Sequence, residues 1–171
     1  MIRTGSSYHT RGGVVLPVER FVLHPHFEYY YRDYDCALIQ LKQPFEAAIP
    51  VPLKSGRKRF RVGESCTTMG WGRTATSKTS RQMMTVKVPV VTIKTCSKVH
   101  LIMPVTKQMM CAGFAAGGPD ICEGDGGGPL MCRGVQVGIA STTSGCGEAD
   151  KYGVYTDITR VRMWIWNITR I

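Results

Sequence analysis

The chain has 171 residues, 43% hydrophobic and 20% charged, which is enough for one domain or two small lobes around a buried core. No apolar stretch approaches the roughly 20 residues that a membrane-spanning helix needs, so we expect no membrane partner. The formal net charge of +10 favours contact with polyanions, but no recognised nucleic-acid-binding motif accompanies the basic residues. Nucleic acid is therefore not an expected partner.

Short strands joined by turns are the expected elements of the first third, because the chain holds 19 glycines and 9 prolines. Residues 13–23 are rich in valine and leucine and predict a strand that ends in the turn H-P-H-F. The apolar run DCALIQL (35–41) predicts a buried strand. A proline-broken, extended connection should follow over 42–53.

The middle and the end of the chain predict further strands and one helix. S-C-T-T-M-G-W-G (65–72) predicts a strand that closes on a turn, and 83–91 alternates as a strand does. Residues 129–142 predict a hairpin with its turn at Arg133-Gly134. A short amphipathic helix should close the chain, with Trp166 on its polar side, because apolar residues recur at the helical spacing at Val161, Trp164, Ile165 and Ile168.

Seven cysteines are spaced too widely for a zinc finger or ribbon, and no C-x-x-C pair occurs. They favour disulfides and an oxidising compartment, with one thiol left over. Cys36 lies in an apolar run and is best interpreted as a buried small hydrophobe. His24 and His26 flank a proline in a turn and do not predict a metal pair. We predict neither a metal nor a cofactor.

The first ten residues lack the apolar core of a signal peptide. Either the chain is cytosolic with reduced thiols, or its natural beginning lies upstream of Met1, and the cysteines favour the second interpretation. We therefore expect a secreted protein.

One basic segment, K-S-G-R-K-R-F-R (54–61), lies between a proline-rich stretch and a strand, so it should be a loop. It is either a solvated connection or a site for heparin-like polyanions or acidic protein surfaces. The basic side chains of this loop are Lys54, Arg57, Lys58, Arg59 and Arg61.

An ordered series of motifs covers nearly the whole chain. DCALIQL, GWG, VPVV…C, MMCAGF…GGPDICEGDGGGPLMC, SGCG, YGVYTDI and the tryptophan-containing helix follow one another. In order and spacing the series resembles the chymotrypsin family of serine proteases (trypsin-like, peptidase family S1). The resemblance implies an all-β fold of two six-stranded antiparallel barrels with a closing C-terminal helix.

The same resemblance predicts the domain organisation. Residues 1–52 are expected to be a remnant of the first barrel, which would be incomplete, and 53–171 the complete second barrel with its helix. The catalytic histidine in its A-A-H-C context, and the N-terminus freed by activation, would lie upstream of Met1. None of the four histidines present has that context. By family pattern the disulfides would be Cys66–Cys132, Cys96–Cys111 and Cys122–Cys146.

Peptide hydrolysis of this kind needs a nucleophile, a base, a carboxylate that orients the base, and amides that bind the oxyanion. Asp35 resembles the orienting aspartate, and Gly126 stands where G-D-S-G-G-P carries the serine. The amides of Gly124 and Gly126 could still form the oxyanion hole. A phosphate-binding loop is a poor interpretation of G-D-G-G-G-P, since no Gly-Lys-Ser and no helix follow.

Substrate preference is also implied by resemblance. Asp120 matches the aspartate at the bottom of the pocket that selects arginine or lysine. Ser141, Thr143 and Gly153 should form its walls, with Thr143 narrowing a mouth where the family has glycine. Asp125 matches the acid that pairs with the freed N-terminus, so without that partner we expect a zymogen-like, partly disordered pocket.

Three hypotheses follow. In the first, the chain is a secreted, non-catalytic homologue that binds protein or peptide ligands with basic residues. In the second, it is a truncated or mutated record of an active serine endopeptidase that cleaves after arginine or lysine. In the third, it is a fragment without function, whose unpaired strand edges would favour aggregation. The first accounts best for Gly126.

Overall fold

The computed structural model describes residues 1–56 and 60–171, and antiparallel strands dominate it. The N-terminal part holds two separate two-stranded sheets. Strand β1 (Ile2–Thr4) pairs with β2 (Val14–Leu16), and β3 (Val18–Leu23) pairs with β4 (Ala37–Leu41). Within the described residues these sheets do not close into a barrel, as the prediction of an incomplete first barrel requires.

The second part is a closed six-stranded barrel in the order β10-β7-β6-β5-β8-β9. Its strands are β5 (Ser65–Gly70), β6 (Met84–Val91), β7 (Met109–Ala112), β8 (Pro129–Cys132), β9 (Val135–Thr142) and β10 (Gly153–Asp157). Its interior is filled by fully buried apolar side chains, among them Val88, Leu130, Val137 and Tyr155. Closure pairs every barrel strand on both sides, so the barrel has no exposed edge.

In the part of the chain that the structure describes, two helices accompany the barrel. The short α1 (Ile93–Ser97) follows β6, and α2 (Ile158–Thr169) ends the chain as predicted. Asp157 caps α2, since its carboxylate accepts the amide proton of Thr159 at 2.8 Å. Val161 and Ile165 are buried. The prediction that Ile168 belongs to the buried apolar face of the helix was wrong, because Ile168 lies in the last turn and is 43% exposed.

Helix α2 connects the two parts of the molecule. Ile158, Val161 and Ile165 form one cluster with Cys36, which precedes β4. Cys36 is buried and free, as expected, and burial together with the charge of Asp35 raises the pKa of its thiol to about 12. This thiol is therefore protonated and inert at neutral pH. None of the helices in the described residues is long and apolar enough to cross a membrane.

Two strand predictions need correction. Residues 13–23 are two strands in different sheets, because Pro17 has no amide proton to donate to a ladder and separates β2 from β3. The strand in 35–41 begins at Ala37 and is not buried, since only its α2 side is covered. On the other side Phe21, Leu23 and Ile39 are 65%, 64% and 45% exposed.

The turn and disulfide predictions are confirmed. Arg133 and Gly134 have φ angles of 52° and 77°, as a two-residue hairpin turn requires, and they connect β8 to β9. The three disulfides form as the resemblance implied, and each pins a loop or a strand of the barrel. A bridge of this kind contributes about 2–4 kcal/mol.

Candidate functional site

Asp35 is held against the barrel by both its side chain and its main chain. Its carboxylate accepts the hydroxyl proton of Ser141 at 2.7 Å, and its carbonyl accepts that of Thr156 at 2.8 Å. These donors belong to β9 and β10, so the barrel itself positions the aspartate. Within the described residues no histidine hydrogen-bonds to Asp35.

The three glycines of the run 126–128 differ in whether the backbone requires glycine at their position. At Gly127 the φ of +85° is one that side chains rarely adopt. At Gly128 a Cβ would lie 2.6 Å from the carbonyl oxygen of Met69. At Gly126 a Cβ would meet no heavy atom within 4 Å, and φ is outside the left-handed region. The backbone therefore demands glycine at 127 and 128, whereas at 126 it would accept a side chain.

The candidate oxyanion donors lie in the same loop. Gly124 and Gly126 are both exposed, and neither amide donates to a protein acceptor in the part of the chain that the structure describes. The neighbouring amide of Gly127 does so, to Ala140 of β9 at 2.8 Å. The loop is thus tied to the barrel while the two candidate donors face outward.

Asp120 is half-buried, and its carboxylate lies against the backbone of two glycines, Gly113 and Gly153. Its carboxylate accepts amide protons from Ile121 at 2.7 Å and from Gly153 at 3.1 Å. A Cβ at Gly153 would lie 3.0 Å from one carboxylate oxygen, and a Cβ at Gly113 would lie 2.8 Å from the other. Burial raises the pKa of Asp120 to about 6, against the opposing effect of the two hydrogen bonds. Sequence reasoning missed Gly113.

A cavity of about 700 Å³ opens beside Asp120. It lies between β5, the segment 118–125 and the loop that contains Cys146. Four acidic residues and one basic residue line it: Asp120, Glu123, Asp125, Glu148 and Arg73. The only ion pair among them within the described residues is the exposed contact between Arg73 and Glu123, at 3.6 Å. The cavity is therefore acidic in a chain whose formal charge is +10.

Asp125 differs from the expected buried acid without a partner. It is half-buried, and its carboxylate accepts amide protons from Gly72 at 2.8 Å and Cys122 at 3.0 Å. A Cβ at Gly72 would lie 2.5 Å from the carboxyl carbon, and one at Gly70 would collide with the same side chain. The glycines of G-W-G thus make room for Asp125, which satisfies its charge with backbone donors.

The other residues predicted for the pocket are distributed differently. Ser141 contacts Asp35 and does not line the cavity of Asp120. The hydroxyl of Thr143 donates to the carbonyl of Gly145 within its own loop. Its side chain lies instead on another cavity of about 290 Å³, beside the segment 99–103. Narrowing of the mouth of the arginine- or lysine-selecting pocket by Thr143 therefore stays a prediction.

The predicted basic loop is only partly described. Arg57, Lys58 and Arg59 lie outside the described residues, and Arg61 is exposed. The ammonium of Lys54 lies 5.6 Å from the centre of the Phe60 ring. Binding of heparin-like polyanions to this loop stays a prediction.

The closed barrel, its terminal helix and the aspartate anchored to β9 and β10 match the chymotrypsin-like class of folds. The comparisons with known proteins agree. The family model described as Trypsin matches residues 1–165, and the chain belongs to this family. It is 36% identical to Trypsin 5G1 of Aedes aegypti over 173 residues, which cover 98% of this chain. The chain spans 65% of the length of that relative.

Proposed function

We propose that this chain is a secreted, non-catalytic member of the trypsin family that binds protein or peptide ligands through their arginine or lysine side chains. The observation that carries the proposal is the acidic cavity beside Asp120, in a chain whose nucleophile position is occupied by Gly126. Three formed disulfides support an oxidising, extracellular environment.

The absence of catalysis follows from the chemistry of Gly126. Without a hydroxyl no acyl-enzyme forms, and removal of the serine of a comparable triad protease lowers turnover by about 2 × 10⁶. The amides of Gly124 and Gly126 would still bind a carbonyl oxygen of a ligand, because that interaction needs only the backbone. We therefore expect binding without turnover.

A cationic ligand is the best match for Asp120. Its carboxylate has already lost part of its hydration, as the pKa of about 6 indicates, so a guanidinium or ammonium that pairs with it restores the lost interaction. The other acids of the cavity add to the attraction and raise the rate of encounter. An anionic or purely apolar ligand would meet the same charges unfavourably.

We expect 4-aminobenzamidine, a fluorescent arginine mimic, to bind saturably at pH 8 and to lose at least about thirtyfold in affinity with Asp120→Asn. Between pH 8 and pH 5 the affinity should fall about tenfold in total, with most of the loss below pH 6. The amidinium keeps its charge there, whereas Asp120, with its pKa of about 6, takes up the proton that prevents pairing. Fluorescence titration from pH 5 to pH 8 measures both effects.

The matched control is Asp150→Asn, which removes one acid outside the cavity. It should leave the affinity within about twofold, since an exposed charge contributes little. Equal losses for the two variants, or an affinity that does not change between pH 8 and pH 5, would contradict a site at Asp120. Hydrolysis of an arginine ester by the unaltered chain would contradict the absence of catalysis.

One observation favours a second candidate, an active endopeptidase that cleaves after arginine or lysine. The open space around Gly126 would hold a serine without rearrangement. In that case the complete protein would carry serine at this position and a histidine on residues outside this chain. Sequencing the complete transcript through codon 126 distinguishes the two candidates.

A further inference from the structure

A third cavity, smaller than the two described above, shares none of its described lining residues with the acidic cavity. We call it the α2 groove, and it has a volume of about 160 Å³. Val90 and Met109, 7% and 2% exposed, form its floor. Phe60, Ile93 and Met110 are among its walls. The groove is apolar and small, and none of these side chains has a role in the site described above.

The volume of the α2 groove sets the size of the group that fits it. A cavity of about 150 Å³ lined by apolar side chains accommodates benzene. One aromatic ring, such as a phenylalanine side chain, would therefore fill the groove. Burying such a ring removes its apolar surface from water and should strengthen binding by at least about tenfold.

The rim of the α2 groove is basic. Lys107 and Arg160 line it, both are exposed, and neither has a carboxylate within 4.0 Å in the described part of the chain. Lys54 adds a third cation beside the ring of Phe60. Among the described lining residues Asp157 is the one acid, and it is engaged as the cap of α2, where it accepts from both the amide and the hydroxyl of Thr159.

We propose that the α2 groove binds an acidic peptide segment of a partner protein, with one aromatic side chain in the groove and flanking carboxylates on Lys107 and Arg160. The apolar floor selects the ring, and the rim selects its acidic neighbours. A sulfated polysaccharide would use the cations alone and leave the floor unoccupied, so the peptide matches more of the surface.

The test uses the full chain and a fluorescein-labelled peptide of one phenylalanine between two pairs of glutamates, with binding followed by anisotropy at low salt. The Lys107→Gln/Arg160→Gln double variant should bind at least about fivefold more weakly. The same peptide with alanine for phenylalanine should bind the unaltered chain at least about tenfold more weakly. The first loss should shrink at high salt, whereas the second should persist.

The matched control is Lys78→Gln/Arg81→Gln, which removes one lysine and one arginine, both exposed, from outside the groove. It should change the affinity by less than about twofold. Equal losses of affinity for the two double variants would mean that binding depends only on the net charge of the chain, and this would overturn the proposal. Equal affinity of the alanine peptide, or displacement by heparin fragments with no dependence on the ring, would overturn it in favour of a polyanion site.

Discussion

Serine at position 126 is expected to change the free energy of unfolding by no more than about 0.5 kcal/mol, whereas serine at position 128 should cost about 3 kcal/mol or more. At Gly126 the new side chain enters open space. At Gly128 the Cβ would lie 2.6 Å from the carbonyl oxygen of Met69 and 2.9 Å from that of Asp125, so the backbone must move. Urea unfolding of the two variants measures the difference.

The same pair of variants tests what the glycine run is for. A large loss of stability in Gly126→Ser would contradict the open space around Gly126 and would mean that glycine at 126 has a structural role. The expected small change in the free energy of unfolding for Gly126→Ser would show that the fold does not require glycine where the family has its nucleophile. Hydrolysis of an arginine ester should stay undetectable in Gly126→Ser, because no histidine hydrogen-bonds to Asp35 in the described chain to serve as the base.

Local patterns were sufficient for much of the barrel. Residues 83–91 alternate in polarity, and Arg133-Gly134 lies between two apolar runs. The strand and the turn could therefore be predicted from neighbouring residues alone. The disulfides were predictable only through the resemblance, since seven cysteines permit many pairings. Burial of β4 was not predictable, because its apolar residues do not reveal whether another sheet covers them. The exposure of Ile39 shows that no described element covers its side of the strand, whereas Leu38 on the other side packs against the cluster of α2.

The candidate site depends more strongly on distant parts of the chain. Asp120 could be found by its motif, but the constraint at Gly113 could not, because it arises where the chain returns beside the carboxylate. Asp125 was expected to lack a partner. It obtains an amide from Gly72, 53 residues away, and this contact exists only because β5 and the glycine loop meet in the folded barrel.

Leu130→Ala is expected to lower the free energy of unfolding by about 3–5 kcal/mol, whereas Leu23→Ala should change it by less than about 0.5 kcal/mol. Leu130 is fully buried in β8, and its surroundings are tight, since a Cβ at Gly138 would lie only 3.3 Å from the Leu130 Cβ. Removing three carbons there leaves a cavity. Leu23 lies on the open face of β3 with 64% exposure, so the same truncation removes little contact. Guanidinium unfolding with the disulfides intact measures both variants.

The comparison of these two leucines tests whether the open face of the β3–β4 sheet is uncovered in solution. A two-stranded sheet is marginal on its own, and this one is held chiefly by α2 and by the hydrogen bonds of Asp35 to the barrel. If Leu23→Ala costs as much as Leu130→Ala, the open face is covered in solution, and a changed slope of unfolding would indicate the additional buried area. The expected inequality would instead show that this face is uncovered in solution, as its exposed residues indicate. The position of Asp35 then depends on the barrel contacts of Ser141 and Thr156 and on the cluster around α2.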